Sequence, residues 1–352
     1  MIINNRKIGN DYPTYFIADI AASHDGELSR AIDLIYLCKE KGADAAKFQH
    51  FEAKSIVSDF GFNSLGSQKS HQASWKKSVY EVYQDASLPF EWTEKLAEAA
   101  KDAEIDFFTS PYSIELVDKV EPYVCAYKVG SGDISWHEIV AHIASKNLPY
   151  IIATGASTLD DIRSVLDICF PINPEICLMQ CNTNYTASEE NFKYINLNVL
   201  NQFKKEFPGV LLGLSDHTPG HATVLGAVAL GARIIEKHFT DDNLREGPDH
   251  LFSMNPASWE EMVVRTRELE DALGNGIKQV EDNEKDTAIL QRRAICAKGN
   301  LQAGTTISYE NTFPLRPIPD DGIPPYDLNK IIGKKLIKDL NDAEYIKWKD
   351  LE

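Results

Sequence analysis

Residues 150–181 read YIIATGASTLDDIRSVLDICFPINPEICLMQC, and this stretch decides the fold class. Tyr150–Ala153 and Ile176–Cys181 are short apolar runs of strand character. Between them STLDDIRSVLDICF repeats its apolar residues with helical period, and Ser157 stands where an N-cap is expected. A strand, a helix and a second strand in 32 residues is the unit from which parallel sheets are built.

The same alternation extends in both directions. Tyr15–Ile20, Asp44–Phe48, Ile105–Thr109 and Cys125–Val129 precede it, and Val210–Leu214 and Ala232–Glu236 follow it. In LSRAIDLIYLCKEKG the residues Leu28, Ile32, Ile35 and Cys38 form one apolar face, with Gly42 as a stop. In SWEEMVVRTRELEDALG, Ser258 and Glu261 have capping-box spacing and Gly274 ends the helix. Eight such units fit a (β/α)8 TIM barrel over residues 1–275. A doubly wound open sheet is the alternative, weakened because no GxGxxG follows the first strand. The polar segment 276–287 reads as a linker, and 288–352, cut by glycines and prolines, as a small loop-rich β domain.

Composition narrows the function. Apolar residues make up 43% and charged residues 25%, as in a soluble globular chain. No apolar run is long enough to span a bilayer, and the first residues lack the apolar core of a signal peptide. Six scattered cysteines without a CxxC pair read as reduced thiols, so a cytoplasmic protein is expected. The net charge of −17 argues against a nucleic-acid partner. An anionic substrate would need a few local cations to overcome that field.

In such a barrel the chemistry sits at the C-terminal ends of the strands. Here those ends carry Asp19; Lys47 and Gln49; Ser110; Lys128, Ser131 and Asp133; Thr183 and Tyr185; Ser215 and His217; and His238. Lys47 and Lys128 interrupt the apolar runs AAKFQ and AYKVG, where a charge needs a partner. That partner is an anion such as phosphate or carboxylate, or, for Lys47, the Asp19 carboxylate. His217 and His238 end adjacent strands and could hold one divalent metal with positions left for substrate, or be ordinary packed histidines. Asp249 reads as a turn residue and Arg316 as a surface arginine between prolines.

The motifs FIADIAASHDG, GADAAKFQHF, AYKVGSGD, GLSDHT, EKHFTDD, GPDHLFSMNP and LRPIPDDGIPP carry a family resemblance. Along essentially its whole length the chain resembles the N-acetylneuraminate (sialic acid) synthase family, whose tail is an antifreeze-like (SAF, β-clip) domain. The resemblance implies condensation of phosphoenolpyruvate with an N-acylated amino sugar to a nine-carbon 2-keto acid. It implies that His217 and His238 hold manganese, with Mg²⁺ or Co²⁺ as alternatives. It places Lys47, Ser110, Lys128, Ser131 and Ser215 at phosphoenolpyruvate, and Gln49, Asp133, Tyr185 and Asp249 at the sugar, with Thr183 a further substrate-binding candidate. Arg316 then corresponds to an arginine inserted over a partner's active site, which implies a domain-swapped homodimer.

Some positions depart from the family pattern. Asp19 stands where the family usually has Glu, Ser23 where it has Asn, Ala153 where it often has Ser, and Thr183 where it has Asn. Asp is one methylene shorter, and a displacement of about 1 Å can cost ~100-fold in rate if the substrate is unchanged. The departures point to a changed sugar rather than a changed reaction, with legionaminic, pseudaminic or another nonulosonic acid standing beside N-acetylneuraminate. Two further hypotheses stay open: a barrel aldolase or lyase with Lys47 or Lys128 as Schiff base, and a non-catalytic sugar-binding descendant.

Overall fold

The computed structural model describes residues 1–68 and 70–352. It separates into two compact units, Met1–Gly274 and Asn275–Glu352. In the first, β1 (Tyr15–Asp19), β2 (Ala45–His50), β3 (Asp106–Pro111), β4 (Tyr127–Val129), β5 (Tyr150–Ala153), β6 (Ile176–Cys181), β7 (Leu211–Asp216) and β8 (Ile234–His238) form a closed parallel barrel. β8 pairs with both β7 and β1, so the sheet has no edge. Helices follow the strands, among them Leu28–Glu40, Leu159–Cys169 and Pro256–Leu273, and bury their apolar stripes outside the barrel. The architecture is the TIM barrel expected from the strand–helix alternation.

The strands lie within two residues of the expected runs, and four of the eight extend farther at their C-terminal ends. β2 runs through Gln49 to His50, β7 through Ser215 to Asp216, and β8 through Lys237 to His238. Polar side chains end an apolar pattern but not a backbone ladder, which needs only N–H and C=O groups. Pairing therefore continues into the functional residues: Asp19 lies beside Lys47 and His238, Gln49 beside Ser110, and Ser215 beside Glu236.

Two caps differ from expectation. Thr158, not Ser157, caps its helix, because Asp161 three residues on closes the box with it; Ser157 donates instead to the Gly155 carbonyl. The last barrel helix begins at Pro256, with Asn255 as cap and Ser258 completing the box. Glu261 lies one turn inside and faces Arg265. In Leu28–Glu40 the buried residues are Ala31, Leu34, Ile35 and Cys38, so the inward face is rotated and Leu28 and Ile32 sit at its margin.

An N-terminal hairpin (Ile2–Ile3 with Arg6–Lys7) belongs to the barrel's N-terminal end. Asn4 donates to Asp106 at the start of β3, and the Ile2 amide to Glu175 just before β6. Ile3 and Ile8 are buried in the barrel core. The opposite end carries a long excursion between β2 and its helix, including Ala53–Ile56, Asp59–Ser64 and Val79–Ala86. The second unit has its own small core of Ile295, Ala297, Ile307, Ile323, Ile331, Leu336, Leu340 and Ile346. It is built around β9 (Ala294–Ala297) and β10 (Thr312–Leu315), antiparallel and linked to neighbouring loops by isolated bridges.

Gly213 on β7 shows how closely the barrel interior is filled. A Cβ there would lie 2.7 Å from the Ile234 carbonyl oxygen and 2.9 Å from Met179 Cγ. Backbone cannot step aside, so Gly213→Ala is expected to lower unfolding free energy by about 1–3 kcal/mol, read from the urea midpoint at unchanged slope.

Candidate active site

Side chains alternate along each strand, so every second residue faces the barrel interior. On β8, Glu236 and His238 face inward, while Lys237 faces the other way and pairs with Asp216 at 2.5 Å. At the C-terminal mouth the inward set meets as a buried ionic cluster. Lys47 Nζ lies 2.6 Å from Asp19 Oδ2 and 3.8 Å from Glu236 Oε2. Lys128 Nζ lies 3.3 Å from Glu236 Oε1. Gln49 donates to Asp19 at 3.0 Å, Ser215 donates to Glu236 at 3.0 Å, and Ser110 Oγ is 3.5 Å from Lys47 Nζ.

The two lysines therefore have carboxylate partners, the alternative weighed for Lys47 but not for Lys128. Burial works to raise the Asp19 and Glu236 carboxyls, yet neighbouring lysines outweigh it and hold both below the ordinary range. Burial likewise works to lower Lys47, but Asp19 and Glu236 leave it raised. Two ammonium groups against two carboxylates make the cluster close to neutral. Among the described residues, Glu236 Oε2 is a buried oxygen without a hydrogen-bond partner, and such an atom carries a desolvation penalty.

Beside the cluster, His217 and His238 face one another with ring centroids 5.4 Å apart. His217 Nδ1 lies 3.0 Å from the Asn182 carbonyl, which requires the proton on Nδ1 and leaves the Nε2 lone pair available. Burial, then His238, pushes the His217 imidazolium down to about 3, so the ring is neutral. His238 Nε2 is 3.5 Å from Asp19 Oδ2, and its buried Nδ1 has no hydrogen-bond partner among the described residues. Two close imidazoles with unused nitrogens suit one divalent ion. Among the described residues no group of three or more His, Cys, Asp and Glu side chains is arranged around a common point. Any ion here would have two protein ligands and open positions.

Aromatic rings wall this pair. Tyr185 lies 4.2 Å from His217, and Phe252 lies 4.8 Å from His238. His71 and Trp75, from the excursion after β2, extend the wall on Tyr185. Together they line a cleft of about 1120 Å³ that also includes Val82, Arg245 and Leu251. Its wall pairs Lys77 with Asp85 at 2.5 Å, Arg245 with Asp25 at 2.7 Å and Lys76 with Glu246 at 3.7 Å.

The other expected residues take definite places. Ser131 Oγ accepts from the Gly155 amide at 3.0 Å, bringing the β4 and β5 ends together. Thr183 closes over the same point, 2.5 Å from where a Gly155 Cβ would be. Asp133 is half-buried, and burial pushes its carboxyl up to about 6 against the pull of Lys128. Asp249 accepts from the Ala22 amide at 3.0 Å, so it ties the loop after β8 to the loop after β1. Asn182 and Asn184, on either side of Thr183, turn to Tyr194 O and to Thr186 and Asn191. Arg316 directly follows β10 in the second unit. Glu236, His71, Trp75 and Phe252 were not among the residues expected from sequence. The period of two that places His238 inward also places Glu236 there; the other three sit on loops.

The NeuB family matches residues 34–278, and the SAF domain matches residues 292–352. The chain belongs to the NeuB family. This NeuB family member is 34% identical to the N,N'-diacetyllegionaminic acid synthase of Legionella pneumophila, over 99% of each chain. It is 31% identical to the human N-acetylneuraminate-9-phosphate synthase, over 97% of this chain and 93% of that one. The N-acetylneuraminic acid synthetase of Leptospira borgpetersenii, solved with citrate, superposes with a TM-score of 0.71 at 25% identity, covering 82% of this chain and 94% of that one. The relatives are thus named as sugar-acid synthases, and the second domain of this family member is the SAF domain. No helix among the described residues is long and apolar enough to cross a membrane.

Two buried histidines near the mouth set an acid limit on stability. Burial depresses His24 and His50 from 6.5 to about 4. The native state then binds fewer protons than the unfolded chain between those values, so stability is full above 6.5 and falls as pH drops. Each group contributes up to about 1.4 kcal/mol per pH unit in that window. His50→Asn is expected to narrow the difference between urea midpoints at pH 7 and pH 5.

Proposed function

We propose that this chain condenses phosphoenolpyruvate with the open-chain aldehyde of an N-acylated amino sugar. The products are a nine-carbon 2-keto sugar acid and inorganic phosphate. The observation that carries this reading is the facing His217–His238 pair beside the buried Lys47 and Lys128 ammonium groups. Imidazole nitrogens suit a divalent ion, and ammonium groups with hydroxyls suit an enol phosphate.

In this reading Lys47 and Lys128 donate to the phosphate and carboxylate of phosphoenolpyruvate, assisted by the Ser110, Ser131 and Ser215 hydroxyls. Gln49, Asp133, Thr183, Tyr185 and Asp249 orient the sugar. Its C1 carbon receives C3 of phosphoenolpyruvate, water adds at C2, and the C–O bond to phosphate breaks. His217 and His238 would hold the divalent ion, Mn²⁺ or alternatively Mg²⁺ or Co²⁺, the lone pair left on His217 Nε2 and the orphaned His238 Nδ1 fitting that use. When bound, such an ion supplies Lewis-acid polarisation of the sugar carbonyl. Asp19 and Glu236 already balance the two lysines, so an anionic substrate calls for a further cation. Arg316, delivered by the SAF domain of a partner subunit in a swapped homodimer, supplies it as a fork of donors. The cleft's charges are matched within its own wall, which favours an uncharged acceptor such as a di-N-acylated 6-deoxyhexose over a phosphorylated one.

A Schiff-base lyase needs a neutral amine. Ion pairing with Asp19 and Glu236 holds Lys47 raised, the opposite of that requirement.

Phosphate release from phosphoenolpyruvate across a panel of N-acyl hexosamines, with and without Mn²⁺, tests the reading. Release is expected only with both sugar and ion. No release with any sugar, together with tight sugar binding, would make the chain a binding protein, and borohydride trapping of a pyruvate adduct would make it a lyase.

His217→Ala is expected to abolish metal binding and turnover while the barrel's circular dichroism is kept. Arg316→Ala is expected to leave metal binding intact and lower kcat/KM on the order of 10²-fold; unchanged kcat/KM would remove the arginine from the site.

A further inference from the structure

The loop after β8 delivers two residues to the site, Asp249 and Phe252, and it is held from the opposite side of the β8–β1 seam. The anchor is Asp25, in the tight turn after β1. Its backbone takes a left-handed conformation, with φ +53°, beside Gly26 at +75°. This turns the carboxylate toward the β8 loop, where three partners meet it. His250 Nε2 lies 2.8 Å from Oδ1, Arg245 Nε 2.7 Å from Oδ2, and Arg30 Nε 3.2 Å from Oδ2.

Each partner ties a different part of the loop. His250 is fully buried, and its Nδ1 is 2.7 Å from the Thr240 hydroxyl at the loop's start. Arg245 stands at the loop's outer turn. Arg30 also donates to the Ser23 carbonyl at 2.7 Å and to both carboxylate oxygens of Asp241. The fit is close: a Cβ on Gly247 would lie 2.7 Å from His250 Cδ2. The next residue after this ring's neighbour Asp249 is the anchored His250 itself, and Phe252 follows two positions later against His238.

We propose that Asp25 is a positioning residue for the sugar half of the site, acting through His250, Arg245 and Arg30 on the loop that carries Asp249 and Phe252. The clamp stands on geometry alone; its consequence for the acceptor rests on the condensation reading above. Lys47, Lys128, Ser131 and Ser215 lie on strands or on the β4 turn, which this clamp does not hold. Loss of Asp25 therefore affects the acceptor and spares phosphoenolpyruvate.

The test uses the full chain, with Asp25→Ala and Asp25→Asn beside wild type. Asparagine keeps an oxygen for His250 and loses the charge that gathers the arginines. Amide hydrogen exchange over residues 240–253 is expected to rise in Asp25→Ala and to rise less in Asp25→Asn. The acceptor KM is expected to rise on the order of 10- to 100-fold in Asp25→Ala, with the phosphoenolpyruvate KM within about twofold of wild type and partial rescue in Asp25→Asn. Unchanged exchange in both variants would overturn the clamp whether or not the wild type condenses the two substrates. Raised exchange with an unchanged acceptor KM, or an equal rise in both KM values, would overturn the positioning role. A wild type inactive on every acceptor would sink the condensation reading and leave the clamp to be decided by exchange.

Discussion

The mouth of this barrel depends on two buried lysines balanced by two buried carboxylates. Lys47 and Lys128 rise from strands that are otherwise apolar, and neither ammonium could remain there alone. Asp19 and Glu236 neutralise them, and Gln49, Ser110 and Ser215 take up most of the remaining hydrogen bonds. The strand order makes this arrangement available. Asp19 sits in register with both Lys47 and His238, and Ser215 with Glu236. Closure of the sheet thus brings residues from both ends of the barrel sequence to one point, and the histidine pair inherits its place from the same closure.

Local electrostatics and global charge point in different directions. The chain carries −17 overall, yet its mouth is close to neutral and its cations are fixed in space. Preorganised charges in a water-poor site act more strongly than mobile charges on the surface. The surrounding excess of carboxylates is mostly solvated and screened within about 10 Å.

Much of this was legible in the amino-acid order. Short apolar runs separated by helical periods gave the barrel, and the polar residues closing those runs gave most of the mouth. The reading failed where several answers satisfied the same local rule. Ser157 and Thr158 are both good caps, and only Asp161 selects between them. Glu236 was read as the last residue of a run, although alternation from His238 already places it inside. His71, Trp75 and Phe252 reach the site from loops, whose closure depends on contacts between distant segments rather than on neighbours. His250 is buried, and its partner Asp25 lies on a different loop, 225 residues away in sequence.

The chain of atoms from Asp25 through His250 to Thr240 has the order carboxylate, imidazole, hydroxyl that hydrolases use to sharpen an oxygen nucleophile. Here the imidazole and the threonine are both sealed from solvent. No ester or amide can reach that oxygen, so the relay is mute. A template match on these three side chains would announce a protease, whereas solvent accessibility reduces the same constellation to a strut.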